Sequence, residues 1–240
     1  MEQQVCASFG SSLNIKRTSN GCSFDIYTLS IHRSFFRFLA IFLVKLDIRK
    51  FFDSIDQDIL LNLIKKKIKD KDAVCLIKQI IKSQNQGLPL GNVTSQLFAN
   101  IYLNELDQFI KHKLKIKFYL RYCDDFVVLS KNKAELLNFI KSINNFLENN
   151  LNLELHSDKI IIRKYHQGID FLGYVVLPHY RVLRTKTKKR ILRKIKKKKQ
   201  DLQSGLITKE LFNQTLQSYF GVLRHCEGWR IKGMIIEKYL

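Results

Sequence analysis

Three aspartates have the residue type and setting of a metal-dependent site. Asp124 and Asp125 are adjacent in the stretch RYCDDFVVLS, between two apolar runs, and Asp47 follows the apolar run AIFLVKL. Like charges this close repel one another, so a bound cation would stabilise them. Carboxylate oxygens suit Mg²⁺, which takes substrate phosphates as further ligands. Two such ions about 3.5–4 Å apart stabilise the attacking and leaving oxygens of an in-line phosphoryl transfer.

That chemistry requires a fold that brings the three carboxylates together. The β-branched and aromatic flanks predict a hairpin over 117–130, with the aspartate pair at its tip, and a buried strand over 40–48. If the two strands are neighbours in one sheet, the carboxylates converge. The alternative is a solvated turn, since Asp is common in turns. The apolar flanks favour a hairpin that is mostly buried.

The remaining elements predict an α+β fold, with an antiparallel sheet followed by a C-terminal helical subdomain. Ser54 and Gln57 suggest a capping box at the start of the first helix. Short strands are expected in LELH, KIIIRKY and IDFLGYVVL. Apolar periodicity predicts helices over 54–69, 72–83, 95–112, 133–149, 186–204 and 208–226.

The charge balance indicates a polyanionic partner. The net charge is +21, from 42 Lys and Arg against 21 Asp and Glu. Residues 184–200, RTKTKKRILRKIKKKKQ, contain basic side chains and no acidic one. A solvated helix face is the plain alternative, but so many like charges repel one another unless an anion binds them.

The cysteines and the apolar segments predict a cytoplasmic protein without a membrane partner. The five cysteines are scattered without a CxxC pair, which is typical of free thiols in a reducing compartment rather than of disulfides or a zinc site. The apolar stretch FFRFLAIFLV is interrupted by Arg37 and has about half the ~20 residues of a spanning helix. It is therefore interpreted as a buried element.

Four ordered motifs resemble those of reverse transcriptases of the bacterial retroelement group. They are DIRKFFD from Asp47, QGLPLGNVTSQ from Gln86, the Tyr-x-Asp-Asp motif from Tyr122, and FLGY from Phe171. The resemblance runs from about residue 40 to the C-terminus. It covers group II intron, retron and diversity-generating types, and GLPLGNVTSQ is nearest to the diversity-generating or an unclassified type.

The resemblance implies a right-hand polymerase palm, an antiparallel sheet with helices on one face, and a C-terminal α-helical thumb. The implied activity is RNA-directed DNA polymerase, with dNTPs added to a DNA or RNA primer on an RNA template. The implied cofactor is two Mg²⁺ ions, with Mn²⁺ as an alternative. Asp47, Asp124 and Asp125 would be the catalytic metal ligands, joined by the carbonyl of Ile48.

Further substrate contacts are implied position by position, and each has a plain structural alternative. Phe52 would be the steric gate that excludes the ribose 2′-OH, or simply a core residue beside Phe51. Lys159 would protonate the leaving pyrophosphate, or be a solvated lysine. The remaining dNTP and template–primer residues are Gly87, Pro89 and Gly91, for which an ordinary loop is the alternative, and Gln96, which begins a helix whose apolar stripe has plain core as the alternative.

Two groups of residues would contact the template–primer duplex. A primer grip is implied at Phe171, Leu172, Gly173 and Tyr174, with an ordinary apolar strand as the alternative. Salt-dependent contacts to the nucleic-acid backbone are expected from the basic helix. Its residues are Lys188, Lys189, Arg190, Arg193, Lys194 and Lys197.

The predicted domains are an ill-defined N-terminal segment, 1–39, a palm, 40–180, and a basic thumb, 181–240. The N-terminal segment departs from the family pattern, because no stretch matches the usual fingers motifs. Its basic residues Lys16, Arg17, Arg33 and Arg37 are not assigned to the triphosphate. Three hypotheses follow: a DNA polymerase, a truncated and inactive RNA-binding module, and an RNA-templated RNA polymerase, which Phe52 argues against. An accessory protein of the retroelement is left open.

Overall fold

A computed structural model describes residues 42–239, which divide into two units, 42–162 and 163–239. Each unit has its own cluster of buried apolar side chains. The predicted N-terminal segment, 1–39, lies outside the described residues, as do its four basic residues.

The sheet of the first unit is built on the two predicted aspartate-bearing strands. Its strands are β1 (Phe42–Asp47), β2 (Phe118–Tyr122), β3 (Asp125–Ser130) and β4 (Ile161–Lys164), in the order β2-β3-β1-β4. Strand β1 pairs antiparallel with β3, and β2 with β3, so the predicted hairpin is present. The paired register runs from Phe42 opposite Ser130 to Asp47 opposite Asp125.

Side chains alternate in direction along the strands, so this sheet has one face toward the core and a second face away from it. Val44, Leu46, Phe126 and Val128 belong to the buried cluster. Successive side chains point to opposite faces of a sheet, so Asp47 and Asp125 lie on the face opposite these residues.

Helices pack on the core face and bury the apolar stripe that periodicity predicted. Tyr102, Leu103 and Leu106 from one helix and Leu147 from another join the sheet's cluster. The helices of this unit are α1 (Phe51–Ser54), α2 (Gln57–Lys67), α3 (Lys71–Ile81), α4 (Val93–Gln108), which continues into a π-helical turn (Phe109–Lys113), and α5 (Lys133–Leu151).

The predicted capping box at Ser54 is wrong. Asp56 caps α2 instead, since its Oδ1 accepts hydrogen bonds from the backbone N–H groups of Asp58 and Ile59 at 2.9 and 3.0 Å. These bonds, led by the one from Ile59, lower the pKa of Asp56. Ile55 is extended, which separates α1 from α2. The side chain of Asn152 donates to the second Asp56 oxygen, a long-range contact that local sequence does not predict.

The second unit combines a small antiparallel meander with a helical region. Its strands are β5 (Ile169–Phe171), β6 (Tyr174–Val176) and β7 (Arg181–Leu183). Helices α6 (Thr185–Gln203), α7 (Lys209–Arg224) and α8 (Trp229–Tyr239) follow. Helix α8 was not predicted from the sequence, because Gly233 weakens its helical signal.

Of two further predictions from the sequence, one is confirmed and one is wrong. The two basic helices are confirmed within a few residues. The predicted strand LELH forms only an isolated bridge, between Leu155 and Ile48.

Among the helices in residues 42–239, none combines the length and the apolar character that crossing a bilayer requires.

Candidate active site

The strand register brings the predicted carboxylates together. Asp47 and Asp125 are directly opposite each other on β1 and β3. The pair Tyr122–Asp125 closes the hairpin, so Asp124 lies in its two-residue turn. Burial is the main cause that raises the pKa of the Asp124 carboxyl, and the charges of Asp47 and Asp125 raise it further. The hydrogen bond from its own backbone N–H and, least of all, the charge of Lys159 lower it without reversing the shift. The three carboxylates therefore share one electrostatic environment.

Two lysines face these carboxylates. The Nζ of Lys159 lies 2.9 Å from Oδ2 of Asp47, and the Nζ of Lys45 lies 3.0 Å from Oδ1 of Asp125. Lys159 was predicted here as a site residue, and the structure places it beside Asp47. Lys45 was missed, although a lysine two positions before Asp47 in an apolar strand must share its face of the sheet.

The donor set fits a hard divalent cation, although it is not a preformed metal cluster. In the described part of the chain, no three His, Cys, Asp or Glu side chains lie close enough together to form one. Oδ1 of Asp125 is buried and makes no hydrogen bond, and the Nζ of Lys45 forms an ion pair with it at 3.0 Å. The repulsion that Asp47 and Asp125 exert on the Asp124 carboxylate is the feature that a divalent cation would relieve.

A short segment fixes the end of β1 and places Lys159. The backbone N–H of Arg49 donates to the carbonyl of Glu154 at 2.9 Å, and that of His156 donates to the carbonyl of Asp47 at 2.8 Å. Both bonds flank the Ile48–Leu155 bridge, so the bridge does not use the Ile48 carbonyl. The segment then enters the 3₁₀ turn Ser157–Lys159.

The predicted gate residue is attached to the predicted substrate loop through its backbone. Phe51 is buried in the core and Phe52 is half-buried, with ring centroids 5.4 Å apart. The carbonyl of Phe52 accepts a hydrogen bond from the N–H of Leu88 at 2.8 Å. A Cβ on Gly87 would lie 2.2 Å from the same carbonyl oxygen, so only glycine fits there.

Gln57 also holds this loop, a role that was not predicted from the sequence. Its Nε2 lies 3.2, 2.8 and 3.0 Å from the carbonyl oxygens of Ile81, Gln84 and Gly87. An amide group has two hydrogens, so three acceptors must share them. Its position at the start of an amphipathic helix carries no signal for this contact.

The other predicted residues of this loop are on the surface. Gly91 has φ 93°, a conformation that favours glycine, and no neighbour would contact an added Cβ. Pro89 is half-buried, and Gln96 is exposed in the first turn of α4. Their contact with a nucleotide stays a prediction.

The predicted primer grip and basic residues belong to the second unit. Leu172 and Gly173 form the turn between β5 and β6 with φ 52° and 85°. The hydroxyl of Tyr174 donates to the carbonyl of Val222 at 3.1 Å. Ile191 and Ile195 face the core of this unit, and the six predicted basic residues of α6 are exposed. Their exposure is what nucleic-acid contact requires, and the contact itself stays a prediction.

Known proteins with similar sequences are reverse transcriptases and intron-encoded proteins. A family model described as reverse transcriptase (RNA-dependent DNA polymerase) matches residues 32–176. The group II intron-encoded protein LtrA of Lactococcus lactis is 29% identical, over 60% of this chain and 35% of its own length. The retron Ec73 reverse transcriptase of Escherichia coli is 34% identical, over 38% of this chain and 33% of its own. The chain spans about a third of the length of these two relatives.

Solved structures with a similar fold include telomerases. The telomerase of Candida albicans in complex with a fragment of telomeric RNA has a TM-score of 0.52 at 14% identity, covering 89% of this chain and 42% of that one. The truncated apo telomerase of Candida tropicalis has a TM-score of 0.51 at 15% identity, covering 65% and 38%. These similarities confirm the right-hand polymerase fold. Because the family model matches more than half of the sequence, the chain belongs to the reverse transcriptase family.

Proposed function

We propose that the chain is an RNA-directed DNA polymerase of a bacterial retroelement. The observation that carries the proposal is the register that sets Asp47 opposite Asp125, with Asp124 in the adjoining turn. In the reaction, the primer 3′-oxygen bonds to the α-phosphorus of a dNTP as the bond to pyrophosphate breaks, with the base selected by an RNA template.

Asp47, Asp124 and Asp125, with the carbonyl of Ile48, would hold two Mg²⁺ ions or, as an alternative, Mn²⁺. When bound, such ions supply stabilisation of the negative charge that develops on the transferred phosphoryl group. Lys45 and Lys159 hold Asp125 and Asp47 as ion pairs. The ammonium group of Lys159 is half-exposed beside Asp47, so Lys159 is the proposed proton donor to the leaving pyrophosphate.

The proposed partners are an RNA template, a primer and dNTPs. The exposed basic side chains of α6 support contact with a phosphate backbone, which is sequence-independent. The turn at Leu172 and Gly173 is the proposed primer grip. Gly87, Pro89, Gly91 and Gln96 are proposed to lie along the nascent base pair.

Primer extension tests this function directly. The 240-residue chain is incubated with a poly(rA)/oligo(dT) duplex, Mg²⁺ and dTTP, and the extended primer is resolved on a gel. We expect primers longer than the starting oligonucleotide. Tight binding to the duplex without extension would instead support the inactive RNA-binding module.

Phe52→Ala is expected to increase ribonucleotide incorporation by roughly tenfold or more, because a removed ring leaves room for the 2′-OH. The measurement is the ratio of kcat/KM for rTTP to that for dTTP. Phe139→Ala removes a half-buried ring from the same core without touching the loop, and serves as control. A Phe52 variant as selective as the parent would assign the ring to the core alone.

Binding to the duplex is expected to weaken steeply with salt, and less steeply when α6 loses charge. Each phosphate contact contributes about −0.7 to −0.9 to the slope of log K against log salt. Replacing Arg193, Lys194 and Lys197 by Gln should therefore reduce the slope by about 2–3. The control replaces the three exposed lysines at 65–67 of α2 by Gln, which changes the net charge by the same amount. Equal slopes for both triple variants would remove α6 from the interface.

A further inference from the structure

A buried ion pair lies behind the turn that carries Asp124. The guanidinium of Arg121 donates from Nε to Oδ1 of Asp107 at 2.8 Å and from Nη2 to Oδ2 at 2.6 Å. Both side chains are almost fully buried, at 4% and 3% exposure. The hydroxyl of Tyr119 donates to the same Oδ1 at 2.7 Å. The carboxylate of Asp107 is therefore held by three hydrogen bonds on the core side of β2.

The remaining nitrogen of the guanidinium reaches the turn that carries Asp124. Nη1 of Arg121 lies 3.1 Å from the carbonyl oxygen of Cys123 and 3.3 Å from Oδ1 of Asn100. That carbonyl belongs to the peptide bond whose nitrogen is Asp124. Asn100 and Asp107 both lie on α4, so Arg121 ties the turn to this helix.

The turn needs such a support. Cys123 has φ 51°, a left-handed conformation that residues other than glycine rarely adopt. A strained backbone persists where surrounding contacts determine it, and such sites concentrate where geometry matters for function. The bond from Arg121 is one such contact, made from the face of the sheet opposite to Asp47 and Asp125.

Stability alone does not account for the pair. Buried ion pairs contribute little net stability, and apolar residues of similar volume often replace them without loss. A bidentate arginine, by contrast, specifies geometry because its five donors are fixed in one plane. Arg121 uses that property to join three elements: β2, the turn and α4.

We propose that Arg121, anchored by Asp107, is a positioning residue that holds the Cys123–Asp124 peptide and so aims the Asp124 carboxylate at the site. The proposal rests on the polymerase function proposed above. Tyr119 and Asn100 complete the anchor. The signal was visible in the sequence as an arginine inside an apolar strand, but its partner could be identified only from the fold.

The test compares Arg121→Lys with an apolar replacement, Arg121→Met/Asp107→Leu/Tyr119→Phe, which removes the network without leaving a buried charge. Arg163→Lys, at an exposed arginine outside the site, is the control. For each variant, the unfolding free energy, duplex affinity, kcat and the Mg²⁺ concentration for half-maximal extension are measured. We expect kcat to fall by roughly 10–100-fold and the required Mg²⁺ to rise, as for other residues that orient metal ligands.

A readout without metal or substrate separates the proposal from the function on which it rests. The Cys123 thiol is partly accessible, so its alkylation rate, followed by mass spectrometry of its peptide, reports the turn directly. We expect faster alkylation in both network variants, with no change at Cys75. The alkylation rates can be compared even if the parent chain fails to extend a primer. That failure would count against the proposed polymerase function and not against the role of Arg121. A folded variant with unchanged Mg²⁺ dependence and unchanged Cys123 reactivity would overturn the proposal. So would a loss of kcat that is fully explained by the fraction of the variant that is unfolded.

Discussion

Asp124→Asn should abolish primer extension while leaving RNA binding intact. The substitution removes one negative ligand from the proposed metal site, where bound metal is worth several kcal/mol of transition-state stabilisation. A loss of roughly a thousandfold or more in kcat is therefore expected, at about 1.4 kcal/mol per tenfold. Primer extension measures the rate, and filter binding of the duplex measures the affinity.

The same substitution should not destabilise the fold, and this makes the result interpretable. The pKa of Asp124 is raised, first by burial and then by Asp47 and Asp125, so the ionised form is disfavoured in the folded state. A neutral amide relieves that penalty, and urea unfolding should show a free energy equal to the parent's or slightly higher. Asp72→Asn, at an exposed position in α3, is the control for a lost acidic charge. Unchanged extension by Asp124→Asn would remove this residue from the catalytic site.

Gly87→Ala should have the second largest effect, because it forces apart the loop and the backbone of Phe52. The new Cβ would lie 2.2 Å from the Phe52 carbonyl oxygen and 2.7 Å from the Asp53 Cα, at φ 68°. Backbone atoms cannot rotate away as a side chain can. Overpacking and left-handed strain each cost about 1–3 kcal/mol, so the free energy of unfolding should fall by roughly 2–6 kcal/mol.

Gly91→Ala is the matched control in the same loop. Gly91 also has a positive φ, 93°, but an added Cβ meets nothing within 4 Å. For Gly91→Ala, the free energy of unfolding should fall only by the cost of left-handed backbone strain, about 1–3 kcal/mol. Urea unfolding measures both variants, and the KM for dTTP shows whether the displaced loop affects nucleotide binding. Equal losses would mean that the Phe52 contact does not constrain Gly87.

Local sequence patterns were sufficient where a signal lies within one element. The apolar, β-branched flanks of Asp47 and of the aspartate pair predicted β1 and the β2–β3 hairpin, because strand formation follows residue type and alternation. The basic helix was predicted from the shift to basic composition after Pro178, and the structure adds that Ile191 and Ile195 form its buried face. The capping box failed because several residues near 54–57 can cap a helix, and a partner 96 residues away favours Asp56.

The sequence by itself therefore determined most of the element types, the family motifs and the charge of the proposed interface. Tertiary structure alone decided which groups meet. The ion pairs of Lys45 and Lys159, the contact of Gly87 with Phe52, and the reach of Arg121 to the Cys123 carbonyl all join residues by strand register or by packing. Most of these depend on neighbours far apart along the chain, which composition and periodicity cannot specify. The site chemistry is thus readable from residue types, and its geometry is a property of the folded chain.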